Sequence, residues 1–312
     1  MSVKTLLRLN RHFKPVPHPF NDEAAGGKTY GIWEYERGGK TVDCYRPAFS
    51  EETMFRGKTV LDVGCGEGGK SIYYAGCGAE IVVGIDVVEE YAAKSAALAE
   101  SLGLSDKFRF VCGSALALPF RDGTFDTVIM SDFFEHVSEP AAALREAMRV
   151  LKDGGMLFIN FPPYYHPYGA HLSDAINVPW VHLFFSEKTM IGAYKTLIAD
   201  KPDAKRRAEL KIRSDGDGET LGYINKMTLR RANDTIASLG IKPICKKLIP
   251  LRKFLAPAAH LPLLREAFCR MAVYVFIKER KQADEQEKQL SGNNHIFAGG
   301  AVSGGNDDRN GI

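Results

Sequence analysis

The sequence is poor in the features that mark several protein classes. No two of its six cysteines stand in CxxC spacing, so no thiol-redox or zinc-ribbon motif can be read. Cys44, Cys65, Cys77, Cys112, Cys245 and Cys269 are scattered, several among apolar neighbours, where cysteine acts as a small hydrophobe. A reducing, cytoplasmic setting is the expectation. No apolar run approaches the roughly 18 residues of a membrane span. The opening MSVKTLLRLNRHFKPVPHPF lacks the apolar centre of a secretory leader. Excess charge is missing as well. Against 41 Lys and Arg stand 38 Asp and Glu, a formal +3, which is too little to indicate nucleic acid or an anionic membrane as partner. No internal repeat is present. What remains is an ordinary globular composition, 45% hydrophobic and 25% charged over 312 residues, enough chain to bury a core of its own.

Between residues 59 and 161 strand-like and helix-like segments alternate. Short apolar runs at 59–63, 80–85, 108–112, 125–130 and 156–161 read as buried parallel strands, which show continuous rather than alternating hydrophobicity. Segments 71–75, 89–102 and 140–151 read as helices, the last with Gly154 and Gly155 just beyond it as a stop. The alternation predicts an α/β fold with a parallel sheet covered by helices on both faces. Residues 162–226 break the rhythm and read as an insertion after the fifth strand, at the sheet edge where ligands bind in such folds. A helix at 227–239 stopped by Gly240, strands at 241–251 and 270–278, and one short helix in the connection between those strands complete the pattern. Five segments follow: an arm or cap (1–56, opening with a short amphipathic helix), a core (57–161), the insertion (162–226), a C-terminal completion of the sheet (227–280) and a polar tail (281–312) too poor in apolar residues to order itself.

The chemistry is concentrated at the first strand's end. Gly64, Gly66, Gly68 and Gly69 sit between a strand and a helix. Glycine permits positive φ and close ligand approach, and the helix start offers free N–H groups to an anion. The spacing Gly64-x-Gly66-x-x-Gly69 also satisfies a dinucleotide fingerprint. Asp86 ends the second strand, where an acid can accept from ribose hydroxyls; it can equally act as a helix N-cap. Neither feature separates an NAD-dependent oxidoreductase from an enzyme using another adenosine cofactor, and Tyr91-Ala-Ala-Lys94 adds a weak dehydrogenase-like pair.

The string VLDVGCGEGG at 60–69 resembles the first motif of class I S-adenosylmethionine-dependent methyltransferases, and the resemblance continues along the chain. Gly84-Ile-Asp86 is similar to the ribose-binding motif. Leu118-Pro-Phe120 followed by Thr124-Phe-Asp-Thr-Val128, Glu135-His136-Val137 and Arg149-Val-Leu-Lys-Asp-Gly-Gly155 are similar to later motifs, with Asp153 where proline is usual. The likeness covers about 57–161 and is strongest to small-molecule methyltransferases of the ubiquinone/menaquinone-biosynthesis kind (the methyltransferase type 11 group). It implies a Rossmann-like sheet of order 3-2-1-4-5-7-6 with an antiparallel last strand, and S-adenosylmethionine as cofactor. It further implies that Asp62, Gly64, Cys65 and Gly66 hold the amino-acid end, Asp86 and Val87 the ribose, and Ser114 and Ala115 the adenine. Ser114 stands where the family often has Asp. Ser131 and Asp132 would border the sulfonium. These motifs leave the oxidoreductase reading with segments it does not explain. A cofactor-binding module without turnover is the remaining alternative.

Methyl transfer from a sulfonium is a direct displacement that needs alignment and, for an O-acceptor, loss of one proton. Histidine suits that step. The candidates are His136, His166, His171 and His182, with Tyr165 and Asp132 behind them, and the acceptor is expected to be a small molecule methylated on oxygen, with carbon or nitrogen as the alternatives. The stretch 161–185 gathers three of these histidines with aromatics and Asp174. It reads as the acceptor pocket, as aromatic packing, or as a metal set of His171, Asp174 and His182 whose spacing matches no motif; no metal ligand is assigned. Phe161-Pro-Pro-Tyr164 is similar to a nucleic-acid amino-methyltransferase motif but follows the wrong strand and lacks its Asn or Asp. The basic run at 201–213 reads as a solvated helix face, with an acidic substrate as the alternative.

Overall fold

The computed structural model describes residues 1–279, apart from 217, 258–260, 262 and 263; the tail expected at 281–312 lies outside the described residues. The arm forms short helices α1 (Val3–Asn10), α2 (Pro19–Ala24), α3 (Tyr30–Tyr35), α4 (Gly38–Asp43) and α5 (Glu51–Phe55). Strand β1 (Thr59–Val63), helix α6 (Gly69–Gly76), β2 (Ile81–Asp86), α7 (Tyr91–Ser101), β3 (Phe108–Cys112), β4 (Phe125–Ser131), α8 (Pro140–Val150) and β5 (Leu151–Phe161) follow. The insertion holds α9 (Val181–Phe184), α10 (Glu187–Ile198), α11 (Ala204–Lys211) and a hairpin of β6 (Ile212–Asp215) and β7 (Gly218–Leu221). Helix α12 (Leu229–Ser238) and strands β8 (Cys245–Pro250) and β9 (Cys269–Ile277) close the fold.

Among the described residues the main sheet has seven strands in the order β3-β2-β1-β4-β5-β9-β8, the 3-2-1-4-5-7-6 order that the family resemblance implies. β1 runs parallel to both neighbours, Leu61 lying opposite Val83 and Val128. β9 is antiparallel to β5 and to β8. Both faces are buried, which is why the strands read as unbroken apolar runs. Leu61, Val128, Met130 and Ile159 point to the face covered by α8 and α12. Val60, Ile129 and Phe158 point to the other, with Ile72 and Tyr74 of α6. The strand order reverses between β1 and β4, and the crevice at their carboxyl ends is the place such folds use for ligands.

The insertion builds a separate apolar cluster in which Leu6 of α1 packs with Met190, Ile191 and Tyr194 of α10. Asn10 fastens the arm to it: its amide donates to the Ala175 carbonyl at 3.0 Å and its carbonyl accepts from the Asn177 N–H at 2.6 Å. Two expectations are corrected. Gly154 and Gly155 do not stop α8. That helix ends at Val150 and passes directly into β5, where Gly154 takes φ +80° and donates to the Lys278 carbonyl at 2.8 Å. A Cβ on Gly155 would lie 2.8 Å from the Lys152 carbonyl oxygen, so these glycines serve a strand irregularity rather than a helix cap. The penultimate strand also begins later than expected, at Cys245, because 241–244 carries no ladder pairing of its own to the main sheet beyond the Ile244 N–H to Val275 bond.

Candidate active site

A cavity of about 880 Å³ opens along the carboxyl ends of β1, β2 and β4 and runs under the arm and the insertion. The glycine loop forms its floor. Gly64, Gly66 and Gly68 take φ of +74°, +55° and +78°, a region closed to most side chains. A Cβ on Gly64 would lie 2.2 Å from the Phe133 ring. At Gly66 nothing comes nearer than Tyr30 at 3.5 Å, which leaves its backbone open to the cavity. The loop is held by the neighbouring strand. Gly64 N–H donates to the Ile85 carbonyl at 2.8 Å, and Gly66 N–H to Asp86 Oδ2 at 3.0 Å. Asp86 Oδ1 accepts from Val88 N–H at 3.1 Å. The acid thus ties the two loops together with one lone pair of each oxygen and keeps the others for a ligand.

Deeper in, burial pushes the Asp62 carboxyl up to about 7, against the opposing bond from Ser71; Ser71 Oγ donates to Asp62 Oδ2 at 2.6 Å. An acid so enclosed is suited to an ammonium partner, which would restore its charge. Ser114 and Ala115 reach the cavity rim, and the Ser114 hydroxyl accepts from Leu116 N–H at 3.2 Å. Val87 lines the same rim and is 69% exposed. At the end of β4, Asp132 is held at φ +51°, a costly conformation for a residue with a side chain. Its Oδ2 accepts from Lys70 Nζ at 2.7 Å, while Ser131 Oγ lies 3.4 Å from the same ammonium. Lys70 also lies 3.5 Å from Glu34 of the arm. The cofactor residues expected from the sequence, Asp62, Gly64, Cys65, Gly66, Asp86, Val87, Ser114, Ala115, Ser131 and Asp132, all line this one cavity.

The histidines divide. His136, His166 and His171 line the cavity; His182 does not. Its ring packs on Tyr164 at a centroid distance of 4.8 Å, because α9 turns it toward the aromatic face of the insertion. His136 and His171 meet edge to face at 4.8 Å. Burial pushes His136 and His166 down to about 4, and His171 well below its ordinary value, so all three imidazoles are neutral near pH 7. Asp174 is likewise withdrawn from any metal set with His171 and His182. Its carboxylate meets Lys211 Nζ at 2.8 Å, Tyr194 Oη at 2.8 Å and Arg207 Nη1 at 3.2 Å. Of the run read as a solvated face, Arg207 and Lys211 are only 1% and 2% exposed, and Arg206, Lys211 and Arg213 line the cavity. Sequence reasoning also missed His18, Tyr30, Glu34, Lys70 and Tyr223, which line the cavity from the arm, α6 and the insertion. Only Lys70 carried a local signal, standing one residue past the last loop glycine.

A crevice at the reversal of a parallel α/β sheet, with an acid at the end of its second strand, is the arrangement in which Rossmann-like folds hold a nucleotide cofactor. Residues 61–159 match the family model described as a methyltransferase domain, and this is the stretch that carries the glycine loop and Asp86. Over 102 residues the chain is 36% identical to norajmaline N-methyltransferase of Rauvolfia serpentina, covering 33% of this chain and 35% of that protein. Over 106 residues it is 38% identical to the ubiquinone/menaquinone biosynthesis C-methyltransferase of Roseobacter denitrificans, covering 33% and 42%. The match thus spans about a third to two fifths of these relatives' length. The fold extends further. The (4+2)-cyclase SpnF superposes with a TM-score of 0.51 at 19% identity, covering 84% of this chain and 92% of that one; this likeness concerns the fold alone. Among the described residues no helix is long and apolar enough to cross a membrane.

Proposed function

We propose that the whole protein transfers a methyl group from S-adenosylmethionine to an oxygen of a small-molecule acceptor, in the cytoplasm, without nucleic acid or membrane as partner. The observation that carries this reading is the continuity of one cavity from the glycine loop and Asp86 to His136 and His171. The residues present fit the cofactor: an open backbone at Gly66, a buried acid at Asp62, and free acceptor positions on Asp86. When bound, the cofactor supplies an electrophilic methyl on a sulfonium. In this reading Asp62 receives the ammonium, Asp86 the ribose, and Lys70 fixes Asp132 beside the reacting centre. Tyr30, Glu34 and Tyr223 roof the cavity and exclude water.

The relatives named above are an N- and a C-methyltransferase, so they favour no oxygen acceptor. The support for one is the pair of neutral imidazoles, His136 and His171, at the far end of the cavity, disposed to hold a hydroxyl and take part in loss of its proton. Burial holds both imidazoles below their ordinary value, and such groups accept protons weakly, which points to help from another group. Equilibrium binding of labelled S-adenosylmethionine against NADH tests the donor. Binding of NADH alone would overturn the reading. Release of S-adenosylhomocysteine across a panel of hydroxylated and amine acceptors tests the rest.

A further inference from the structure

The Glu135 side chain is 3% exposed, and among the described residues neither of its carboxylate oxygens has a hydrogen-bond partner. Burying such a group as a charge without a partner is expensive, so it either keeps its proton or finds a cation. The cations that approach this part of the cavity are engaged elsewhere: Lys70 with Asp132 at 2.7 Å, and Lys211 with Asp174 at 2.8 Å. What faces Glu135 is a pair of imidazoles. His136 Nε2 lies 3.7 Å from Glu135 Oε1. One ligating atom each from Glu135, His136 and His171 fall within 4.8 Å of one another, and all three residues line the cavity.

The orientation of His136 is set independently. Its Nδ1 lies 2.7 Å from the Tyr223 carbonyl. A carbonyl can only accept, so Nδ1 carries the proton and Nε2 presents its lone pair. An imidazole tied back through one nitrogen to a carbonyl and bare at the other is the arrangement found at metal-ligating histidines. His171 is held from the other side of the cavity, in a left-handed conformation at φ +54° with its carbonyl bonded by Lys211 at 2.5 Å. Ligand bonds of about 2.0–2.2 Å put neighbouring donors roughly 3 Å apart, so closure of this set needs side-chain shifts on the order of 1 Å.

We propose that Glu135, His136 and His171 form a binding site for a divalent first-row transition metal ion. Two nitrogens and one carboxylate on one side of the ion suit zinc, cobalt or ferrous iron, whereas magnesium and calcium prefer oxygen ligands throughout. The remaining coordination positions face the cavity. If methyl transfer to an oxygen is the reaction, as proposed for this cavity, an acceptor hydroxyl at one of those positions becomes more acidic and gives its proton to water. The site itself does not depend on that reaction.

The test is direct titration of the chelator-treated full chain with Co²⁺, followed by calorimetry and by its visible spectrum, and repeated with Zn²⁺ and Mg²⁺. One equivalent of Co²⁺ or Zn²⁺ per chain is expected, with Mg²⁺ at least tenfold weaker. Glu135→Gln and His171→Ala each weaken Co²⁺ binding at least tenfold, with folding checked by circular dichroism, and His182→Ala leaves it unchanged. Failure of the unaltered chain to bind Co²⁺ overturns the proposal. So do preference for Mg²⁺, a thiolate-to-cobalt absorption band that assigns the ion to a cysteine, and undiminished binding by both ligand variants. S-adenosylmethionine binding is measured on the same samples. A chain that binds the cofactor but not Co²⁺ loses only the metal site, and one that binds Co²⁺ but not the cofactor loses only the methyl-transfer reading.

Discussion

The two walls of the cavity are built by different physics. The wall below, from β1 to β4, is mostly backbone: glycines at positive φ, N–H groups bonded to Ile85 and Asp86, and strand ends in register. Its parts lie close together in sequence. The wall above, from the arm and the insertion, is held by buried charge. Asp174 gathers Lys211, Arg207 and Tyr194, and Arg207 continues to Asn21 and the Phe20 carbonyl of the arm at 2.9 and 2.6 Å. Its contacts span more than 150 residues. A backbone-built site tolerates change in surrounding side chains but not in its glycines. A charge-built site tolerates loss or reversal of a central member poorly, since a partner such as Lys211 is then left as an unpaired buried ion.

That contrast is open to attack, most strongly at Asp174. Asp174→Ala takes the carboxylate from buried Lys211, while Arg207 keeps Asp203 at 2.8 Å, and is expected to cost about 3–5 kcal/mol of stability, read by urea unfolding. A loss below about 1 kcal/mol would dissolve the distinction between the walls. The sign with pH follows from the neighbouring cations, which outweigh burial and hold Asp174 below its ordinary value. Its contribution is present above the unfolded carboxylate range of about 4 and disappears as pH falls through the lowered folded value, so wild type and variant converge only in acid.

In the lower wall, Asp86→Ala removes the acceptor that ties Gly66 and Val88 and is expected to weaken S-adenosylmethionine binding about 10–100-fold, the scale of a charged hydrogen bond. Equilibrium dialysis reads it. Asp62 gives a sharper check. With its carboxyl raised to about 7 by burial, it is largely protonated at pH 6 and must ionise to meet an ammonium. Cofactor binding is therefore expected to release up to about one proton near pH 6 and almost none near pH 8.5, measured by calorimetry in buffers of different ionisation heat. Asp62→Asn abolishes the release. Gly66→Ala, where strain rather than collision is at issue, is expected to cost about 1–2 kcal/mol, whereas Gly69→Ala, whose Cβ would lie 2.1 Å from the Gly31 carbonyl oxygen, separates the arm from the loop and costs more. The smallest effect belongs to His182→Ala. Outside the cavity, it is expected to change turnover less than about twofold while His171→Ala lowers it at least tenfold, against the sequence-based expectation that the two are alike.

How far each feature could be read depended on the range over which it is encoded. Strands appeared as apolar runs because both sheet faces are buried, and the glycine loop with Asp86 appeared because tight turns and positive φ demand particular residues at fixed local spacing. The misreading of Gly154 and Gly155 has the same source: a glycine after a helical segment caps a helix or bends a strand equally well, and only the pairing of Gly154 with Lys278 decides between them. The run at 201–213 looked like a solvated face because its partner, Asp174, lies some thirty residues away and the Phe20 and Asn21 contacts nearly two hundred. Nor does any spacing announce that His136 and His171 meet while His182 turns away, or that, among the described residues, the Glu135 oxygens have no hydrogen-bond partner. By itself the sequence determined the parallel sheet, the loop and the acid of the cofactor side, since these follow from local backbone conformation and from burial on both faces. The tertiary structure alone decided which charges pair and which histidines share a cavity, because those are set by the packing of the arm and the insertion over the sheet, and side-chain electrostatics depends on distance in space rather than along the chain.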